Sequence, residues 1–229
     1  MIGQPPALGA AFADGVAALK TPRQLLVDPD DPRSLSARAR RARWERFTTE
    51  FPDLPQLRVL DLGGTPQFWR QAPLRPLSVT TVNLSADRAS EPWITTIVGD
   101  ACEYDDSGFD LVVSNSLLEH VGGAARRQQL AEVIRRSAAR CWVQTPYRYF
   151  PLEPHWLFPG FQWLPLPARV AVTRHWRYGH RHQVDPKRAL ELVLEVELVG
   201  ITEMRSLFPD ARLWLERAGG LVKSLVAIR

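Results

Sequence analysis

The chain has 229 residues with a net charge of +4, and 45% of them are hydrophobic, which suits one globular domain with at most a short appendage. The modest charge disfavours a nucleic-acid-binding protein without excluding one. The two cysteines lack metal or redox spacing, no apolar run is long enough to span a membrane, and the N-terminus does not resemble a signal peptide, so a cytoplasmic protein is expected.

The first predicted unit, residues 1–56, is an N-terminal helical arm. Residues 1–33 are rich in proline, alanine and glycine, with a short helix expected over 10–20. The segment "SLSARARRARWERFTTEF" (34–51) consists largely of good helix formers and has a serine near its start, which predicts a longer helix.

Residues 57–229 are expected to form one α/β domain. Five short apolar segments, each followed by a polar turn, predict buried strands: "LRVLDLGG" (57–64), "LSVTTVNLS" (77–85), "ITTIVGDA" (94–101), "FDLVVSNS" (109–116) and "RCWVQTP" (140–146). A helix is predicted over 123–139. Strands that alternate with helices indicate a parallel sheet covered on both faces.

The chain changes character after the fifth predicted strand. Residues 147–184 are rich in aromatic residues and prolines, which predicts a packed functional insertion. Helical periodicity resumes at Asp185. The segments "ITEMRSLFP" (201–209) and "VKSLVAIR" (222–229) are predicted to be two strands that close the fold as an antiparallel pair.

Asp61 and two glycines stand where the first strand ends, in "VLDLGGTP". A glycine turn at a strand's carboxyl end lets the backbone approach a ligand closely, although a simple tight turn has the same composition. The three-glycine dinucleotide fingerprint is missing, which disfavours a nicotinamide dehydrogenase. Asn83 follows about 20 residues later at the end of the second strand, where a ribose ligand would need a hydrogen-bonding residue.

The segments "VLDLGG", "VTTVNLS", "IVGDA" and "FDLVVSNSLLEHV", in this order and spacing, resemble class I S-adenosylmethionine-dependent methyltransferases, in particular their type 11 small-molecule branch. The resemblance covers about 57–146 and 189–229. It implies a Rossmann-like, doubly wound, seven-stranded sheet with an antiparallel last strand. The N-terminal arm would precede this sheet, and the insertion after strand five would form a lid over the acceptor.

The resemblance also implies S-adenosylmethionine as cofactor and S-adenosylhomocysteine as product. The residues that it assigns to the cofactor are Asp61, Gly63, Gly64, Thr65, Asn83, Asp100, Ala101, Ser114, Asn115 and Ser116. The chain departs from the family's pattern in two places. Thr65 and Pro66 stand where a third small residue is usual, and Asn83 replaces the usual acid. A non-catalytic cofactor-binding protein is therefore an alternative.

Three residues are candidates for acceptor chemistry. His120 follows Glu119 just after the fourth strand, and it is either a catalytic base or a structural histidine at a helix end. Glu153 and His155, in "PLEPHW", follow the fifth strand, and they either bind and deprotonate the acceptor or hold the insertion together. The residues assigned to substrate binding are Glu119, Tyr147, Arg148, Trp156, Arg174 and His175.

A metal site is not predicted. His180 and His182 are separated by one residue, which does not place them on one helix face, and no cluster of aspartates or asparagines accompanies them. A divalent cation that orients acceptor hydroxyls is an alternative that the sequence does not favour.

The expected reaction is direct in-line methylation of a small-molecule hydroxyl. Aromatic and arginine side chains in the insertion favour a sugar, glycan or glycolipid acceptor first and a phenolic natural product second. An RNA methyltransferase is an alternative, although no appended RNA-binding module is recognised. It would use the arginines of the predicted 34–51 helix together with Arg126, Arg127, Arg135 and Arg136 as a phosphate track. A homodimer is left open.

Overall fold

The computed structural model describes residues 35–85 and 91–229, so the helix predicted over 10–20 lies outside the described residues. Contacts divide the chain into two units, Met1–Arg43 and Trp44–Arg229. Helix α1 (Leu35–Glu50) crosses this division and confirms the helix predicted over 34–51. The sheet and the candidate site belong to the second unit.

Nine strands are present in the described part of the chain: β1 (Arg58–Leu62), β2 (Ser78–Asn83), β3 (Ile94–Val98), β4 (Leu111–Asn115), β5 (Cys141–Pro146), β6 (Leu152–Glu153), β7 (Phe158–Pro159), β8 (Arg212–Ala218) and β9 (Leu221–Ile228). Seven of them form one sheet in the order β3-β2-β1-β4-β5-β9-β8. Strands β1 to β5 are parallel, and β9 runs antiparallel to both β5 and β8. The predicted seven-stranded sheet with an antiparallel last strand is confirmed.

The remaining helices are α2 (Pro66–Arg70), α3 (Gly123–Ser137), α4 (Leu166–His175), α5 (Pro186–Leu194) and α6 (Ile201–Leu207). Separate hydrophobic clusters cover the two faces of the sheet, as a doubly wound fold requires. No helix in the described ranges combines the length and the apolar character needed to cross a membrane.

Strand β1 contributes to both faces because successive side chains of a strand point in opposite directions. Leu60 and Leu62 pack in the cluster that contains the buried side of α3. Val59 packs on the other face with Phe47, which belongs to the part of α1 that lies in the second unit. Asp61 shares this second face, which brings its carboxylate to Trp69 of α2. The predicted arm, 1–56, therefore includes residues that pack in the core of the sheet.

The prediction that 201–209 forms a strand is wrong. Residues Ile201–Leu207 form α6, because Met204, Leu207 and Phe208 recur at helical spacing and are buried together. The strand that pairs with β9 is β8, which starts three residues after the predicted segment ends. The apolar run in this segment is short, and a short run does not show whether its period is that of a helix or of a strand.

The insertion after β5 packs around a third hydrophobic cluster, which it shares with residues that follow it. Trp156 stacks on Phe161 at a centroid distance of 4.1 Å. Both side chains pack against residues that follow the insertion, in and after α5. Strands β6 and β7 form a two-stranded hairpin in this region. The internal packing gives the segment a defined shape, which supports the prediction of a structured insertion.

Candidate functional site

Most predicted cofactor residues lie at the carboxyl ends of β1 to β4, and we call Asp61, Gly63, Gly64, Asn83 and Asn115 the glycine edge. Asp61 is 1% exposed, and its Oδ2 accepts a hydrogen bond of 2.7 Å from Trp69 Nε1. Its Oδ1 is buried without a partner. Burial raises the pKa of Asp61 to about 7, because a buried carboxylate loses its hydration.

Both glycines of the loop are required by their surroundings. A Cβ on Gly64 would overlap the Asp61 carboxylate, so only glycine lets the backbone pass this side chain. Gly63 has a φ of +79°, in the left-handed region, and a Cβ there would lie 2.9 Å from Leu117. The glycines are therefore needed because the backbone passes close to a buried acid, and not only because the chain turns here.

Asn83 holds the glycine loop in place. Its Nδ2 donates to the carbonyl oxygens of Gly63 at 3.2 Å and Gly64 at 3.3 Å. An aspartate could not make these bonds, because an ionised carboxylate only accepts. The asparagine that stands in place of the family's usual acid thus makes two hydrogen bonds that an ionised acid could not make. Thr65 follows in extended conformation directly before α2 and makes no side-chain cap.

The ends of β3 and β4 complete this edge. The Asp100 carboxylate accepts hydrogen bonds from the Cys102 amide and from the Arg126 guanidinium, and Ala101 beside it is buried. The buried Ser114 hydroxyl donates to the Leu62 carbonyl at 3.1 Å, which ties β4 to β1. Ser116 has a positive φ of 52°.

Two buried oxygens at the glycine edge have no hydrogen-bond partner, Asp61 Oδ1 and Asn115 Oδ1. They belong to neighbouring strands, since β1 pairs with β4. Buried acceptors without donors are costly, so this pair favours a ligand that brings N–H groups. Leu84, next to Asn83, is 78% exposed and offers an apolar surface beside the loop.

The second group, which we call the histidine cluster, consists of Glu119, His120, Glu153 and His155. Glu119 and His120 lie in a short 3-10 helix, Leu118–His120, directly after β4. Glu153 ends β6, and His155 follows it two residues later. The two imidazole rings meet edge to face, with 3.1 Å between their Nε2 atoms. The fold thus brings together all three residues predicted to be catalytic.

Glu153 fixes the orientation of His155. Its Oε1 lies 2.6 Å from His155 Nδ1, and its Oε2 accepts from the amides of His155 at 2.7 Å and Trp156 at 2.8 Å. The Glu153 side chain is 1% exposed, whereas that of His155 is 17% exposed. Because an ionised carboxylate only accepts, the proton of neutral His155 is assigned to Nδ1, and Nε2 carries a lone pair.

Of the other two members, Glu119 is buried and His120 is half-buried. Burial lowers the pKa of His120 to about 4, so the ring is neutral at physiological pH. The backbone of Glu195 partly offsets this lowering of the pKa. Glu119 is 1% exposed, with Oε2 accepting from Thr145 Oγ1 at 2.8 Å and Oε1 unpartnered. Burial raises the pKa of Glu119.

The remaining predicted substrate residues are more scattered. Arg148 donates to the Leu198 carbonyl at 2.7 Å, and Tyr147 lies half-buried at the end of β5. Trp156 is buried, with Nε1 donating to Thr173 at 2.7 Å, so the structure gives it a packing role. Arg174 and His175 end α4 and bond to backbone carbonyls. Their contact with an acceptor stays a prediction.

Three residues that shape the site were missed from the sequence. Trp69 binds Asp61, Leu117 closes over Gly63, and Thr145 binds Glu119. Trp69 offered a usable signal, since it is a tryptophan five residues after the glycine loop. Thr145 had none, because its partner lies 26 positions away and depends on how β4 and β5 pair.

The fold matches many solved structures, 522 chains in all. The N-methyltransferase NodS from Bradyrhizobium japonicum WM9 aligns with a TM-score of 0.51 and 12% identity, over 87% of this chain and 97% of NodS. The chain has the fold of class I S-adenosylmethionine-dependent methyltransferases. Magnesium protoporphyrin IX methyltransferase (ChlM) from Synechocystis PCC 6803, with bound S-adenosylhomocysteine, gives 0.52 and 12% over 84% of each chain. No protein-family model matches this sequence, and no curated protein matches it significantly.

Proposed function

We propose that this protein is an S-adenosylmethionine-dependent methyltransferase that methylates a hydroxyl group of a small molecule. The observation that carries the proposal is the glycine edge, in which two glycines adjoin a buried acid and two buried oxygens, Asp61 Oδ1 and Asn115 Oδ1, have no hydrogen-bond partner. This is the edge at which open α/β sheets bind ligands. Support also comes from the fold that the chain shares with NodS and ChlM.

The residues at the glycine edge fit the cofactor. Asp61 Oδ1 and Asn115 Oδ1 are acceptors in need of donors, which suits the ammonium group of its methionine part. Asn83 retains its amide oxygen for a ribose hydroxyl, and exposed Leu84 suits a flat base. When bound, S-adenosylmethionine supplies an already activated methyl group, so the protein's task is alignment.

The histidine cluster is proposed as the acceptor site. A hydroxyl that enters it meets two Nε2 atoms, and His155 is proposed as the base because Glu153 Oε1 lies 2.6 Å from its Nδ1 and orients the ring. The hydroxyl proton would pass to His155 Nε2 while the oxygen accepts the methyl group. His120, whose low pKa makes it a weak base, would hold the hydroxyl in place.

The insertion is proposed as the lid over the acceptor, with a sugar, glycan or glycolipid as first choice and a phenolic natural product as second. Tyr149, Trp163 and Tyr178 are between 56% and 59% exposed, although large aromatic side chains normally find cover. Aromatic faces of this kind pack against the apolar faces of sugars and phenols. The homodimer and the cytoplasmic location remain predictions.

The test is calorimetric titration with S-adenosylmethionine and S-adenosylhomocysteine, with NAD as control. We expect micromolar binding of both sulfur ligands and none of NAD. A screen of sugar and phenol acceptors then measures transfer of a labelled methyl group. Absence of binding to either sulfur ligand contradicts the proposal. Binding without turnover on any hydroxyl favours the non-catalytic alternative, and turnover on RNA favours the RNA methyltransferase.

A further inference from the structure

The histidine cluster presents two imidazole nitrogens to each other. His155 Nδ1 lies 2.6 Å from Glu153 Oε1, and the two Nε2 atoms lie 3.1 Å apart. At this distance the two Nε2 atoms share either one proton or one cation that both of them bind.

A buried carboxylate oxygen completes the arrangement. Glu119 is 1% exposed, and its Oε1 has no hydrogen-bond partner. Donor atoms of Glu119, His120 and His155 all lie within 4.8 Å of one another. An unpartnered carboxylate oxygen at this depth is costly unless a cation or a donor binds it.

From this geometry we infer that Glu119, His120 and His155 bind one divalent transition-metal ion, with Glu153 as the group that orients His155. Two nitrogens that are each about 2.0–2.1 Å from one tetrahedral zinc ion lie about 3.3–3.4 Å apart. The 3.1 Å between the two Nε2 atoms is close to this separation. Two imidazoles and one carboxylate are a donor set that suits zinc and its neighbours, whereas magnesium prefers oxygen ligands. The Glu119 oxygen lies within 4.8 Å of both nitrogens and has to move closer to reach bonding distance.

The surroundings of the cluster agree with a bound cation. The second ring nitrogen of a metal-binding histidine usually donates to a carboxylate or a backbone carbonyl, and here Glu153 takes this place for His155. The nearby Arg181 guanidinium is paired with the Glu195 carboxylate at 2.7 Å, which offsets its charge. The His155 side chain is 17% exposed, so an ion can reach it.

Three protein ligands leave at least one coordination position for another molecule. If the proposed function holds, on which this step alone rests, that position takes the acceptor hydroxyl. A hydroxyl bound to the ion loses its proton more readily, and this proton passes to water because both Nε2 atoms are engaged. The cluster would then select acceptors by their oxygen atoms, and His155 would be a ligand instead of a base.

The test is calorimetric titration with Zn²⁺ alone, on the full chain purified without a polyhistidine tag. We expect one ion per chain at micromolar affinity or tighter, and much weaker binding of Mg²⁺. His120→Ala, His155→Ala and Glu119→Gln should each weaken Zn²⁺ binding at least 10-fold. The thiols of Cys102 and Cys141 compete poorly, because both are buried and burial raises their pKa to about 11.

His182→Ala is the matched control, since it removes a histidine from the neighbouring segment, and it should change the affinity less than twofold. If His155→Ala does not fold, the partly exposed His120 gives the deciding variant. Absence of stoichiometric Zn²⁺ binding overturns the inference, as does full affinity in the His120 and His155 variants or loss of binding in His182→Ala. Zn²⁺ binding without S-adenosylmethionine binding contradicts the proposed function alone, and the reverse result contradicts the metal site alone.

Discussion

The glycine edge and the histidine cluster lie beyond the same ends of the parallel strands, but they are built differently. The glycine edge depends on backbone that passes close to a buried acid, with Gly64 against Asp61. The histidine cluster depends on side chains of two distant segments, with 35 positions between His120 and His155. The first arrangement follows from one short motif, whereas the second exists only once β4, β5 and the insertion are packed together.

The largest expected effect comes from Gly64→Ala, which should impair the glycine edge and leave the histidine cluster intact. The added Cβ overlaps the Asp61 carboxylate, so the loop has to move. We expect S-adenosylmethionine binding to weaken at least 1000-fold, while Zn²⁺ binding at the histidine cluster persists. Calorimetry with both ligands measures this. Gly200→Ala is the control, because a Cβ there meets nothing within 4 Å. Retained S-adenosylmethionine affinity in Gly64→Ala would show that the close approach does not matter for the cofactor.

The reciprocal variant is Glu153→Gln. The glutamine oxygen can keep the backbone bonds, but its amide group then donates to His155 Nδ1, which moves the imidazole proton to Nε2. A protonated Nε2 can neither accept a proton nor bind a metal ion. We expect methyl transfer to fall at least 100-fold with S-adenosylmethionine affinity unchanged. Single-turnover rates and calorimetry together measure this. A loss of cofactor affinity would mean that the two regions are coupled.

The third effect is a change of roughly 2–3 kcal/mol in the free energy of unfolding, and it comes from Asp61 at the glycine edge. Because burial raises the pKa of Asp61 from 3.8 to about 7, the folded state holds a proton that the unfolded state has released. The stability is therefore present at low pH and is lost as pH rises from about 4 to about 7. Between pH 5 and pH 8, the wild type should lose this amount relative to Asp61→Asn.

Urea unfolding of both proteins at several pH values measures this difference. The variant serves as its own control for all other titrating groups, since they are common to both proteins. Parallel stability curves of wild type and Asp61→Asn would show that the carboxylate is already ionised in the folded protein at pH 5.

Most residues of the glycine edge could be predicted from the sequence, whereas the contacts within the histidine cluster could not. A short apolar run and the glycines that follow it located β1 and its loop, because these signals are local. The three residues proposed as catalytic were selected from the sequence, but their contact was not predictable. It depends on the pairing of β4 with β5 and on the packing of Trp156 against Thr173 within the insertion. The wrong strand prediction over 201–209 has a local cause instead, since a short apolar run does not reveal its period.

One feature of the sheet bears on how the protein is made. Strand β5 pairs with β9, and Trp142 lies opposite Ile228, 86 positions further along the chain. During synthesis β5 therefore emerges from the ribosome well before its neighbour and presents an apolar edge with unpaired backbone groups. The sheet is completed only when the last strand has been released. Aggregation of the nascent chain, or its capture by a chaperone, is thus expected to be greatest in this interval, while residues 147–220 are being translated.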